Sequence, residues 1–172
     1  MEVRATWLAD DVLWLDGVPR GAAGSLRRFP GVADVSEAWG RTAIYLAPEA
    51  SSSTFDWRAL VAGMETAEYA IPPCQTVAVD WSQGLDWEVV QAHSGLGQEE
   101  LIQWLEGADL TVEAIGFQPG FPYCSGLPLP LCGLARRVPP RNRVPKGAVA
   151  IAEDMLGIYP DASPGGWHVL GV

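Results

Sequence analysis

The sequence is poor in the residues that build metal centres and disulfide frameworks. Among 172 residues it has three cysteines (Cys74, Cys124 and Cys132) and two histidines (His93 and His168). An odd number of thiols without paired spacing does not read as a disulfide scaffold. Neither histidine stands beside a cysteine pair, as a zinc site would require, so no metal is expected. Positive charge is scarce too: 11 Lys and Arg face 21 Asp and Glu, a formal net charge of −10. A surface this acidic repels phosphate backbones, which argues against nucleic-acid binding. No apolar run approaches the length of a membrane span. The start, Met1 to Trp7, lacks the basic-then-apolar pattern of a secretory leader. The expectation is a soluble, cytoplasmic chain with neither membrane nor nucleic acid as partner. Gly-x-Ser-x-Gly and the Gly-rich Walker loop are also missing, and no Ser-His-Asp arrangement is compelling.

Apolar material is plentiful. Hydrophobic residues make up 48% of the chain, with 8 Trp, ample for a packed core. The length suits one large domain or two small ones. Pro72-Pro73 marks a candidate linker at 70–74, giving domains 1–70 and 71–172. In the first, Val3–Leu8, Val12–Leu15, Val32–Trp39 and Thr42–Leu46 read as strands. Short helices are predicted within Gly21–Phe29 and from about Phe55 to Met64, the latter with N-cap candidates in Ser51–Thr54. This mix is a small α+β sandwich. In the second, Gln75–Trp81 reads as a strand, Asp86–Ala92 and Gln98–Leu105 as helices, and Leu110–Ile115 as a strand. From Gly116 onward proline and glycine are too dense for long helices. Short apolar runs such as Val149–Ala152 and Leu156–Tyr159 suggest a β-barrel or sandwich.

Three segments could carry chemistry. Gly116-Phe117-Gln118-Pro119-Gly120-Phe121-Pro122-Tyr123 could be a rigid loop presenting amides and aromatic faces to a ligand. The alternative is a plain strand connection whose aromatics fill the core, and pattern alone favours this. Arg136 to Lys146 holds five of the 11 cationic residues. It reads either as an anion site or as a loop annealing to the protein's own acidic surface. Gly157–Pro160 and Ser163–His168 place Tyr159 and Trp167 as pocket walls or as core. His93, at a helix end, could be a general base or could simply bond a nearby backbone group.

Together these segments resemble the family of the 5-oxoprolinase B subunit, allophanate hydrolase subunit 1 and KipI. That family carries runs of the type GF-x-PGFPYL-x-GLP, PRR-x-x-PR-x-RVP-x-GSV-x-IAG, T-GIYP and PGGW. Here stand Gly116 to Pro128, Ala135-Arg136-Arg137, Pro140 to Glu153, Leu156 to Pro160 and Pro164-Gly165-Gly166-Trp167. Weaker matches are Pro30-Gly31-Val32 and His93-Ser94-Gly95-Leu96. The resemblance implies a ferredoxin-like amino-terminal domain and a cyclophilin-like β-barrel. It implies a partnership with a carboxyltransferase-like C subunit and a lactam-hydrolysing A subunit, which together cleave 5-oxoproline to glutamate with ATP. No metal or biotin is expected on this chain, and ATP belongs to the complex. Related domains occur in urea carboxylase.

On this basis Gly116, Phe117, Pro119, Gly120, Phe121 and Tyr123 would line a small-molecule site with the cationic loop. Arg136, Arg141 and Arg143 would bind an anion, Tyr159 and Trp167 would form walls, and His93 would move a proton. The sequence departs from the family at Val79-Asp80-Trp81-Ser82, Leu105, Ala135 and Glu153, the last standing where the family has Gly. It is shorter around Gly17–Phe29, and it ends at Gly171-Val172, before a final strand pair, so a barrel edge is expected to be open or covered by a partner. The other readings are a non-catalytic KipI-like inhibitor of a histidine kinase and a degenerate scaffold paralogue.

Overall fold

The computed structural model describes residues 2–65 and 74–172. The chain divides into two compact units, residues 1–74 and 75–172. The prolines of the expected linker, Pro72 and Pro73, lie outside the described residues. The class is α+β.

In the first unit, β1 (Arg4–Ala9), β2 (Val12–Asp16), β3 (Val32–Ala38) and β4 (Arg41–Leu46) form one antiparallel sheet in the order β1-β2-β4-β3. Because β4 lies between β2 and β3, the unit β2-α1-β3 is a split β-α-β, with α1 spanning Ala23–Leu26. This is the ferredoxin-like strand order, with the last strand supplied from the amino terminus. Period-two alternation aims Leu13, Leu15, Val35, Ile44 and Leu46 at one face, where Leu26 and Leu60 cover them. Leu60 belongs to α2 (Trp57–Ala62). The cap of α2 is Asp56, whose carboxylate accepts from the amides of Arg58 and Ala59 at 3.1 Å each. The Ser51–Thr54 segment expected to cap it forms its own turn instead, with the Ser51 amide donating to Thr54 Oγ1 at 3.0 Å.

The second unit begins with α3 (Trp87–Ser94) and α4 (Gln98–Glu106), separated by the left-handed Gly95 (φ +73°). Its main sheet runs β11-β8-β9-β6-β5, all antiparallel: His168–Gly171, Val149–Ala152, Met155–Ile158, Pro122–Ser125 and Thr111–Ile115. A ribbon pairs β10 (Ser163–Gly165) with β7 (Arg141–Val144). The sheet separates two cores. Val149, Ile151, Leu156, Cys124 and Leu170 face Trp87, Val90, Leu101 and Leu105 of the helices. Ala148, Ala150, Ala152, Val169, Phe121, Tyr159 and Trp167 face the other way, with Val144 of the ribbon. Both faces of β8 and β11 are therefore buried, which explains why β8 reads as an unbroken apolar run. Sheet and ribbon enclose the second core where a barrel interior is expected. In hydrogen-bond terms they are an open sheet and a separate ribbon.

One expectation does not survive in this unit. Gln75–Trp81 is not a strand: Gln75 to Ala78 are exposed, so Thr76 and Val77 gain nothing from pairing there, while Val79 and Trp81 pack against the helix-side core. Asp80 instead caps a 3-10 turn, accepting from the Ser82 amide at 3.0 Å, Ser82 Oγ at 2.6 Å and Gln83 Nε2 at 2.8 Å. The outer edge of β11 is covered by the chain itself. Asp80 and Val172 exchange amide–carbonyl bonds at 2.8 and 3.3 Å, and the Leu85 and Asp86 amides donate to Val169 O at 2.9 and 3.1 Å. Among the described residues no helix is long and apolar enough to cross a membrane.

Candidate functional site

The β5–β6 connection is built from two tight turns. The Gln118 amide donates to Gly116 O at 2.7 Å across Phe117, whose φ is +64°. That is a γ-turn with positive φ at its centre, a rare and strained conformation for a bulky residue. The Phe121 amide then donates to Gln118 O at 3.0 Å, with Pro119 and Gly120 (φ +84°) between them. Pro at the second position and a positive-φ Gly at the third make this a type II turn. The Gly116 amide closes the loop on Phe121 O at 3.1 Å. The strain falls on Phe117, and the residue remains 62% exposed.

Behind Phe117 lies a cavity of about 110 Å³, lined also by Phe121, Tyr123, Arg136, Tyr159, Gly165 and Trp167. Its rings meet edge to face. Phe121 is the hub, with centroids 5.4 Å from Phe117, 5.0 Å from Tyr123, 5.1 Å from Tyr159 and 5.6 Å from Trp167. Such pairs prefer this geometry because positive ring edges meet negative faces. The sheet contributes space as well as walls: a Cβ on Gly157 would come within 2.8 Å of Phe121 Cε1 and 3.0 Å of Trp167 Cζ3. Burial, then the neighbouring Tyr123, push the Tyr159 phenol above its ordinary pKa. The Trp167 amide hydrogen-bonds it, and the group stays neutral.

The arginines take two different places. Arg136 stands at the cavity wall, where its Nε donates to Glu153 Oε1 at 3.1 Å. Glu153 opens the two-residue β8–β9 turn with φ +57°, while Asp154 has no positive φ. This is the pattern of a type II′ turn, whose first position favours glycine. Arg141 is bound to the protein itself: its Nη1 and Nη2 donate to Asp86 Oδ2 and Oδ1, both at 2.7 Å. Arg137 Nη1 adds a bond to Asp86 Oδ1 at 2.9 Å, and the Val169 amide one to Oδ2 at 2.7 Å. Arg143 is exposed and has no partner among the described residues.

The structure thus brings Phe117, Phe121, Tyr123, Arg136, Tyr159 and Trp167 together. Gly116, Pro119 and Gly120 shape the loop without lining the cavity. Arg141 and Arg143 do not line it. His93 sits on α3, which packs on the other face of the sheet, and its Nε2 donates to Cys132 O at 2.8 Å. Sequence reasoning missed Asp86 as the partner of the arginines. The available signal was a helix-opening Asp ahead of a cationic loop on an acidic chain. His168 was likewise passed over: it is buried, with Nε2 donating to Ala135 O at 2.9 Å and Nδ1 unpartnered. No group of three or more His, Cys, Asp and Glu converges on a metal position among the described residues. The cavity is small, well below the ~300 Å³ at which drug-sized ligand pockets begin.

Comparison with known proteins places the chain in a family. A family model described as "Carboxyltransferase domain, subdomain C and D" matches residues 20–172. The B subunit of 5-oxoprolinase from Escherichia coli O157:H7 is 43% identical over 88 residues, covering 51% of this chain and 40% of that protein. The B subunit of 5-oxoprolinase from Haemophilus influenzae is 49% identical over 73 residues, covering 42% of this chain and 34% of that protein. The chain therefore matches well under half the length of these relatives. The crystal structure of TTHA0988 in space group P212121 superimposes with a TM-score of 0.75 at 30% identity, covering 99% of this chain and 35% of that one. The two-unit α+β architecture, the motif-bearing loops around the aromatic cavity and the match over residues 20–172 place this chain in the family of carboxyltransferase C and D subdomains, alongside the 5-oxoprolinase B subunits.

Proposed function

We propose that this chain works as a subunit of a 5-oxoprolinase-like complex that hydrolyses 5-oxoproline to glutamate, driven by ATP. The observation that carries the reading is the aromatic cavity with Arg136 at its wall, in a chain whose relatives are named as B subunits of 5-oxoprolinase. In the reaction water adds across the lactam C–N bond, opening the ring to an amine and a second carboxylate. This chain's part is to hold a small ring: edge-to-face aromatics surround its body, the neutral Tyr159 phenol offers a hydrogen bond, and Arg136 faces its carboxylate. A carboxyltransferase-like C subunit and a lactam-hydrolysing A subunit complete the assembly, in the cytoplasm, and ATP binds on a partner. The chain alone is inactive, because its cavity walls carry neither a nucleophile nor an acid–base pair.

That same lack favours a second reading, a non-catalytic KipI-like inhibitor of a histidine kinase or a scaffold that retains only assembly. Measuring 5-oxoproline-dependent ATP hydrolysis with each subunit omitted in turn separates them. Activity lost without this chain supports its role in the complex; full activity without it refutes that role and leaves the inhibitor or scaffold.

A further inference from the structure

The charged rim of the cavity is self-neutralised, and this bears on what can enter. Arg136 is the sole charged side chain among the cavity's lining residues. Its Nε is taken by Glu153, while Nη1 and Nη2 have no partner among the described residues. Glu153 does not line the cavity. It reaches Arg136 from a turn position whose φ of +57° suits glycine, so the carboxylate is held there against backbone preference. The pair is open to water, with the side chains 57% and 60% exposed. This is unlike Asp86, which is 2% exposed and holds Arg137 and Arg141. Of the loop's four arginines, two are held by a buried carboxylate, Arg143 has no partner among the described residues, and Arg136 meets an exposed one.

We propose that Glu153 is a specificity-determining residue: it is the exchangeable counter-ion of Arg136, and a carboxylate ligand gains the guanidinium only by competing with it. The inference deepens the reading of the cavity as the ligand site and rests on it. The ligand class is a small monocarboxylic acid with a flat ring for a body. The ring fills the aromatic space, and the carboxylate meets the Nη edge in place of the Glu153 charge. Uncharged rings of the same shape bind without regard to Glu153.

The test is calorimetric titration of the chain, in its wild-type, Glu153→Gln and Arg136→Met forms, with 5-oxoproline and with 2-pyrrolidinone, the same ring without the carboxylate. Glu153→Gln keeps the turn backbone and removes the charge. It is expected to tighten 5-oxoproline by about two- to fivefold, the worth of an exposed ion pair. The gain shrinks with added salt, and 2-pyrrolidinone is unaffected. Arg136→Met weakens 5-oxoproline alone. If Glu153→Gln leaves 5-oxoproline affinity unchanged or lower while Arg136→Met still weakens it, the counter-ion role is overturned and the ligand site stands. If Arg136→Met changes nothing, or neither ring binds any form, the ligand site fails and the counter-ion role with it.

Discussion

Asp86→Asn removes one charge from a carboxylate that is 2% exposed and accepts from Arg137, Arg141 and the Val169 amide. The amide side chain keeps the shape and one acceptor oxygen. It also turns an NH₂ toward guanidinium donors that need acceptors. Breaking one side of a buried ion pair costs about 3–5 kcal/mol. Arg137 and Arg141 are 30% and 20% exposed, so water recovers part of their solvation, and the expected loss is the lower figure, about 3 kcal/mol. For a unit of this size that is a fall in Tm of roughly 12–24 °C. Urea unfolding followed by tryptophan fluorescence reads it, since Trp87 is the next residue and is buried in the helix-side core. Hydrogen exchange at the Val169 amide assigns the loss to this unit. A stability within about 0.5 kcal/mol of wild type, the range of ordinary surface changes, would refute the account of Asp86 as a buried clamp. Arg141→Lys supplies the complementary arm. It replaces a bidentate fork with a point charge, so it should lower stability while leaving the ligand affinity of the folded protein intact. Lost affinity at full stability would return Arg141 to the ligand.

Gly157→Ala should destabilise by about 1–3 kcal/mol, because its Cβ would press on Phe121 and Trp167 in a filled core; chemical denaturation reads it, and near-ultraviolet circular dichroism should show the aromatic cluster disturbed. Glu153→Gly should stabilise by about 1 kcal/mol, since glycine takes φ +57° without strain and the ion pair lost is exposed; an unchanged or lower urea midpoint argues against strain at that turn. Burial raises the pKa of both Tyr159 and Cys124 in the folded chain. Groups raised on folding give their full stabilisation below their unfolded pKa and lose it as pH rises through the folded value. Thermal stability should therefore fall above about pH 8.5, where free thiols ionise, and again above about pH 10 for phenols; Tyr159→Phe should flatten the second fall.

Much of the fold was legible because burial leaves a period in the sequence. Leu13 and Leu15, or Ile44 and Leu46, alternate as half-buried strands must, and the i, i+4 pair Leu101–Leu105 marks the inner side of α4. Residue type misleads where strand-like residues have no partner. Thr76, Val77 and Val79 have β-branched side chains, yet Thr76 and Val77 are exposed, and the Asp80 carboxylate sets the local turn. It misleads again in the cationic loop. Arg136, Arg137 and Arg141 look alike in sequence, and only tertiary structure sorts them, because the carboxylate that claims two of them lies 51 and 55 positions away. A salt bridge of that separation leaves no periodic trace. Arg137 and Arg141 thus meet a buried carboxylate rather than an acidic surface, while Arg136 stands at the cavity wall and Arg143 is exposed.

The convergence of the aromatics has a simpler origin than their dispersal in sequence suggests. Phe121 and Tyr123 flank the start of β6, Tyr159 follows β9 and Trp167 precedes β11, three strands of one sheet. Phe121, Tyr159 and Trp167 belong to the core opposite the helices, with Tyr123 packed against it. That core is small-sided: Ala148, Ala150 and Ala152 of the β8 region are buried in it, and Gly157 of β9 leaves room for the Phe121 and Trp167 rings to pack against the sheet. A larger side chain at Gly157 would displace those rings. Phe117 is the exception, because its place follows from neither periodicity nor core volume. Two turns hold it at φ +64° and leave the residue mostly exposed, with its ring edge to face on Phe121 and Tyr159. The strained backbone at Phe117 therefore marks the rim as the part of this loop that core packing does not account for.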